Sequence, residues 1–261
     1  MPQECCHSPF FSFLEDKKCG NSDHIDRIDL VELFIQVFGL KKIELLLGDR
    51  EFIGDSWLNW LEQEDISYVM RIKEAGQYVG NSRGKMIIAK DLLHNLRPGE
   101  EVNLGKRRLG KNSKTTHNLS AYRCPKTAEL LIVVHSANLT KACQFYKYRW
   151  QIETMFKAFK SSGFNLEDTK VANYDRLETL ISVMMIAFAI SYEVGDDFED
   201  KHPQKLKKHG YKAVSTYKIG INLIKSWLFN CKINLIRMLK NILIKTTVEV
   251  GGYCVGRKNV V

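Results

Sequence analysis

Four residues in the stretch Phe145 to Gly163 (FYKYRWQIETMFKAFKSSG) have the types and spacing to do chemistry together: Tyr146, Arg149, Glu153 and Lys160. They stand at i, i+3, i+7 and i+14, and at about 100° per helical residue they fall within an arc of roughly 60°. A phenol, a guanidinium, a carboxylate and an ammonium then point one way. Such a face suits a carboxylate ligand for a hard cation beside two cationic clamps for an anion. Taken alone, it equally fits a solvated helix on which Glu153 and Arg149 form an ordinary i,i+4 pair.

The elements that must position these groups can be read from periodicity. Phe145, Ile152, Met155, Phe156 and Phe159 occupy the neighbouring arc and are expected as the buried stripe of one continuous helix, with Gly163 as its stop. A second carboxylate is placed by the apolar run Ile43 to Leu47, which ends at Gly48-Asp49-Arg50-Glu51-Phe52. Asp49 would stand on rigid backbone at the carboxyl end of a buried strand, where α/β sheets place their ligands. Around it, Asp26 to Phe38 and Gly54 to Glu64 read as amphipathic helices and Ile66 to Lys73 as a strand. Residues 9–14 (PFFSFL) read as a short strand followed by turn chemistry at 17–22. From Glu74 to about Ala137, short segments (QYV, KMIIA, EVNLGKRRLG, HNLSAYRC, ELLIVVH) alternate with turns, as in a small antiparallel β unit. Helical texture then returns, including Tyr174 to Val194. The expected organisation is an α/β block over 1–73, a β-rich insertion over 74–136, a second α/β block over 137–200 and a basic segment over 201–261.

Charge is unevenly spread. Residues 201–261 hold 13 Lys/Arg against one acid, Glu249, while the other 200 residues hold 26 bases and 29 acids. A basic segment beside a near-neutral body points to a polyanion partner, nucleic acid first and an anionic membrane second. The longest apolar run, Leu180 to Tyr192, is shorter than the ~20 residues that span a bilayer and reads as a core helix. Seven scattered cysteines without a CxxC read as reduced thiols of a cytoplasmic protein, and the adjacent Cys5-Cys6-His7 lacks a second ligand cluster.

The spacing Tyr146-x2-Arg149-x3-Glu153-x6-Lys160 resembles the Tyr-Arg-Glu-Lys signature of bacterial insertion-sequence DDE transposases of the insertion-sequence-four type. GDREFIG (48–54) resembles that family's segment carrying the second catalytic aspartate. WLNWL, ISYVMRIK, KSSGFNLEDT (160–169) and KKHGYKAVSTYKIGINL (207–223) continue the likeness, which runs from about residue 9 to 226. The resemblance implies a ribonuclease H-like α/β catalytic domain interrupted by a β-rich insertion. It also implies metal-dependent phosphodiester hydrolysis and strand transfer at transposon ends, with two Mg²⁺ or Mn²⁺ ions in the intact site. It assigns Asp49 and Glu153 as metal-binding catalytic carboxylates and Tyr146, Arg149 and Lys160 as binders of DNA phosphate. The implied partners are inverted-repeat ends and target DNA, with a homodimer on DNA admitted and no membrane. Trp57, Trp60 and Trp150 are candidates for stacking on an unpaired base, with packing the expected role of the first two.

By the same alignment the family's first catalytic aspartate, on a leading strand, would precede Met1. The chain is therefore expected to be an N-terminally truncated copy, incomplete at the start of the sheet. Asp16, Asp23, Asp26 and Asp29 are expected as solvated charges rather than substitutes. A non-catalytic, DNA-binding or dimerising remnant is the competing expectation, and a nuclease acting on RNA or branched DNA a third.

Overall fold

The computed structural model describes residues 23–205, 207 and 212–229. The strand expected at 9–14, the turn at 17–22, Asp16, Cys5-Cys6-His7 and the basic stretch beyond Phe229 lie outside them. The chain divides into two compact units, with the boundary between Glu153 and Thr154.

The unit ending at Glu153 opens with α1 (His24–Phe38). Asp23 and Asp26, expected as solvated charges, close a capping box: the Asp23 carboxylate accepts from the N–H groups of Ile25 and Asp26, and the Asp26 carboxylate accepts from the Asp23 N–H. Next come β1 (Leu46–Gly48), α2 (Asp55–Gln63) and β2 (Tyr68–Arg71), parallel to β1. β3 (Tyr78–Gly80) and β4 (Met86–Ile88) form a hairpin, and the one-turn helix α3 (Ala89–Leu92) follows. β5 (Glu101–Arg108), β6 (Thr116–Arg123) and β7 (Leu130–His135) complete a mixed five-stranded sheet of order β1-β2-β7-β6-β5.

The strands of the β-rich block therefore do not make a sheet of their own. β7 pairs antiparallel with β2, through Val69 with His135 and Arg71 with Val133, so three strands of the block extend the sheet that carries Asp49. Only β3–β4 stands apart as a separate two-stranded sheet.

Period-two alternation sorts the side chains of β2. Tyr68, Met70 and Ile72 enter a core with Val31 of α1 and Trp57, Leu58 and Leu61 of α2. Val69 faces the other way, against Val133, Ala142, Cys143 and Tyr146. Leu58 and Leu61 are fully buried, each contributing about 1.5–3 kcal/mol by burial. One polar cluster links the first core to its edge, where Glu62 is 41% exposed. The Tyr68 hydroxyl (2.8 Å) and His117 Nδ1 (3.1 Å) both meet Glu62 Oε1, and Thr115 closes on His117 Nε2 at 3.1 Å.

In the other unit, α6 (Tyr174–Lys201) and α7 (Thr216–Phe229) pack together. Their backbones touch at Gly195 and Gly220. A Cβ on Gly220 would run into the Ser191 carbonyl, and one on Gly195 into the Thr216 carbonyl. Met184, Met185, Phe188 and Tyr217 form the core here with Met155, Ala158 and Phe159. α6 is long and apolar enough to cross a bilayer, a description that the core helix of a soluble protein also meets.

Candidate active site

Asp49 is held by the end of a strand and the start of a turn. β1 brings the chain to Gly48, which is buried. A Cβ there would overlap the Met70 sulfur, so a larger residue would force the Met70 side chain to move. Asp49 follows in extended backbone and caps a 3-10 turn, Arg50–Phe52, its carboxylate accepting the Arg50 N–H at 2.8 Å. The carboxylate is thus fixed from the backbone side before any side chain reaches it.

The stretch expected as one helix is broken into pieces. α4 (Ala142–Phe145) gives way to a 3-10 turn at Tyr146–Arg149, then to α5 (Trp150–Lys157) and a π-helical turn at Ala158–Ser162. A uniform 100° projection therefore fails at both ends. The expected apolar stripe changes with it: Met155 and Phe159 are buried, whereas Phe145, Ile152 and Phe156 are 36–43% exposed. Gly163 ends the π turn, its N–H bonding the Ala158 carbonyl.

What the 3-10 turn achieves is the placement of Tyr146 and Arg149 over Asp49. The Tyr146 ring is buried against the Val69 face of the sheet, and its hydroxyl donates to Asp49 Oδ1 at 3.3 Å. Arg149 reaches both carboxylates. Its Nη2 donates to Glu153 Oε1 at 2.6 Å, and its Nη1 lies 3.8 Å from Asp49 Oδ2. One guanidinium therefore ties the strand-end aspartate to the helical glutamate.

These contacts set the ionisation. Burial pushes the Asp49 carboxyl up, but the Arg50 N–H, the Arg149 charge and the Tyr146 hydroxyl outweigh it and hold it below its ordinary value. Burial and the adjacent Asp49 charge push the Tyr146 phenol up to about 12, the Arg149 charge opposing, so it stays a donor at neutral pH. Asp49 and Glu153 remain about one-third exposed, at 34% and 37%, leaving the pair open to incoming oxygens.

Lys160 belongs to the other unit, where its ammonium lies 3.6 Å from Glu167 Oε1. Trp57 is buried and stacks on Trp60 at 5.6 Å, in packing roles; Trp150 is 67% exposed. Arg71 is a further cation near Asp49 that no sequence motif singles out. Register places Gly48 beside Met70 in the parallel pair, so Arg71 stands level with Asp49, and its charge is felt by Tyr146. The signal available in the sequence is the first of the two basic residues in ISYVMRIK.

The donor set is two carboxylates with no soft ligand, which fits a hard divalent cation keeping most of its shell as water and substrate oxygens. No cluster of three or more His, Cys, Asp or Glu suited to a metal is found among the described residues.

A family model described as "Transposase DDE domain" matches residues 17–190, about two-thirds of the chain. No curated protein matches.

Proposed function

The chain belongs to the transposase DDE-domain family, and from that premise we propose that it cleaves DNA phosphodiesters and joins DNA strands during transposition. The finer reading is a ribonuclease H-like, insertion-sequence-four-type enzyme acting at inverted-repeat ends. One observation supports it most: the Arg149 guanidinium shared by Asp49 and Glu153, with the Tyr146 hydroxyl on Asp49.

In this reading Asp49 and Glu153 hold divalent metal, Mg²⁺ or Mn²⁺. The bound ion supplies Lewis-acid activation of the phosphodiester and of the attacking oxygen. Arg149 has two claims on its charge. With the carboxylates it holds them together despite their repulsion; with a DNA phosphate in the site it can fork onto the phosphate oxygens. Tyr146, kept protonated by burial, donates a hydrogen bond and steadies Asp49. The family resemblance alone assigns Lys160, in the other unit, a phosphate-binding role.

The test is cleavage of duplex carrying the element's ends by the full chain with Mg²⁺ or Mn²⁺. Glu153→Gln and Asp49→Asn should each lower the rate by about 10²–10³-fold, or about 3–4 kcal/mol of barrier. Cleavage that survives both substitutions would remove these carboxylates from the reaction.

A further inference from the structure

We propose that a second DNA-phosphate site lies on the paired turns of the β-rich block, at the corner of the sheet diagonally opposite Asp49; this rests on the DNA-acting reading above. From Val102 to Ala128 the chain carries seven Lys/Arg and no acidic residue. The fold gathers a subset of these with the β3–β4 turn. Gly110 N–H bonds the Tyr78 carbonyl at 2.8 Å, Val79 bridges Leu109, and the Arg108 guanidinium donates to the Gly84 carbonyl at 3.3 Å. Lys111 Nζ stands 4.0 Å over the Tyr78 ring. Two turns are thereby locked side by side, carrying Arg83, Lys85, Arg108, Lys111 and Lys114, with Lys106 on the same face of β5 as Arg108.

The gathered cations are also uncompensated. Elsewhere in the unit, Arg71 pairs with Glu129, Lys73 with Glu51 and Arg149 with Asp49 and Glu153. None of the six turn cations forms an ion pair among the described residues. Arg83, Lys85, Lys106, Lys111 and Lys114 are exposed. Uncompensated like charges on short, fixed turns repel one another, and a polyanion relieves that repulsion while releasing its own counterions.

The sheet gives the distance. Gly48 is level with Met70, Val134, Leu119 and Gly105 across β1, β2, β7, β6 and β5. Arg108 lies three residues further along β5, running away from the Asp49 end. Four strand spacings of ~4.8 Å and about four residues of ~3.3 Å give a diagonal on the order of 20–25 Å. At 3.4 Å per phosphate along a strand, that is about seven base pairs. The patch can therefore hold a duplex well away from the reacting phosphate without sharing a residue with the catalytic group.

The experiment measures binding of the full chain to a 30-base-pair duplex of arbitrary sequence by fluorescence anisotropy across a salt series. The test variant is Arg83→Gln/Lys85→Gln/Lys111→Gln, and the control variant is Lys41→Gln/Arg97→Gln/Lys126→Gln, exposed cations outside the patch. If each patch residue meets one phosphate, the slope of log K against log salt should become shallower by about 2.7. The control slope should stay at the wild-type value. Lys111→Gln alone, shallower by about 0.9, gives the same answer with a minimal change to the fold. Wild-type slopes retained by the patch variants would overturn the patch while leaving the transposase reading intact. Failure of the wild-type chain to bind DNA would overturn both, and tighter, patch-dependent binding of duplex RNA would overturn DNA as the ligand.

Discussion

Two carboxylates, Asp49 and Glu199, are held below their ordinary ionisation range by similar means and for different ends. Both face a desolvation that pushes them up, and both are rescued by hydrogen-bond donors and nearby positive charge. Around Glu199 the set is closed. Thr216 and Gln204 each donate at 2.5 Å, Lys212 at 3.1 Å, and the glutamate is only 8% exposed. Around Asp49 the set is open: the carboxylate is 34% exposed, its longest contact is 3.8 Å, and its cation is shared with Glu153. A buried carboxylate ringed by donors from both sides of the helix pair is a structural pin between α6 and α7. One whose cation is divided, with room for another oxygen, is built to exchange partners.

The largest expected effect separates the two on stability. Glu199→Ala strands Thr216 and Lys212 beside the Gly195–Gly220 crossing and should lower unfolding stability by about 2–4 kcal/mol. Asp49→Ala should change it by less than about 1 kcal/mol, since its pairs are half-open to water. Urea unfolding followed by helical circular dichroism measures both, and equal losses would erase the distinction.

Acid should divide them more gently. With its folded value depressed below the ordinary 4.5, Glu199 contributes stability that is fully present above about pH 4.5. That contribution is lost as pH falls through the folded value, because the unfolded chain takes up protons first. The urea midpoints of wild type and Glu199→Gln should therefore differ by a constant amount from pH 7 to about 5 and converge below about 4.5. Asp49→Asn should show a smaller gap that closes at lower pH. A Glu199 gap that widens in acid would reverse the sign and remove the closed donor set as its cause.

What could be read from the sequence was what is local. Arg149 and Glu153 are four residues apart, and Asp49 directly follows an apolar run, so their types and order are visible without any long-range contact. The register that puts β7 against β2 depends on residues more than sixty apart, and alternation alone assigns β5–β7 to a strand class without choosing a partner. Glu62 and His117, 55 residues apart, illustrate the same limit. Only the fold shows the buried His117 and Tyr68 both meeting Glu62, which stays 41% exposed at the edge of the core. Likewise, Asp23 and Asp26 are capping groups because of where α1 begins. The 3-10 turn at Tyr146–Arg149 was hidden because its residues have ordinary helical propensity, whereas Tyr146 packs on the sheet face through residues far away in sequence.

The smallest expected effect probes how open the Asp49 set is. Tyr146→Phe keeps the buried ring and deletes one 3.3 Å hydrogen bond to Asp49 Oδ1. A neutral donor to a carboxylate that retains the Arg50 N–H and Arg149 should be worth about 0.5–1.5 kcal/mol, a fall of roughly 3–10-fold in cleavage rate. The sign on pH is also set. The hydroxyl helps depress the Asp49 carboxyl, so its removal should move the acid limb of the rate profile to higher pH, with the alkaline limb unmoved. A loss as large as that of Glu153→Gln would mean that the phenol meets the reacting phosphate rather than steadying Asp49. An unshifted acid limb would mean that Arg50 and Arg149 alone set the charge on Asp49.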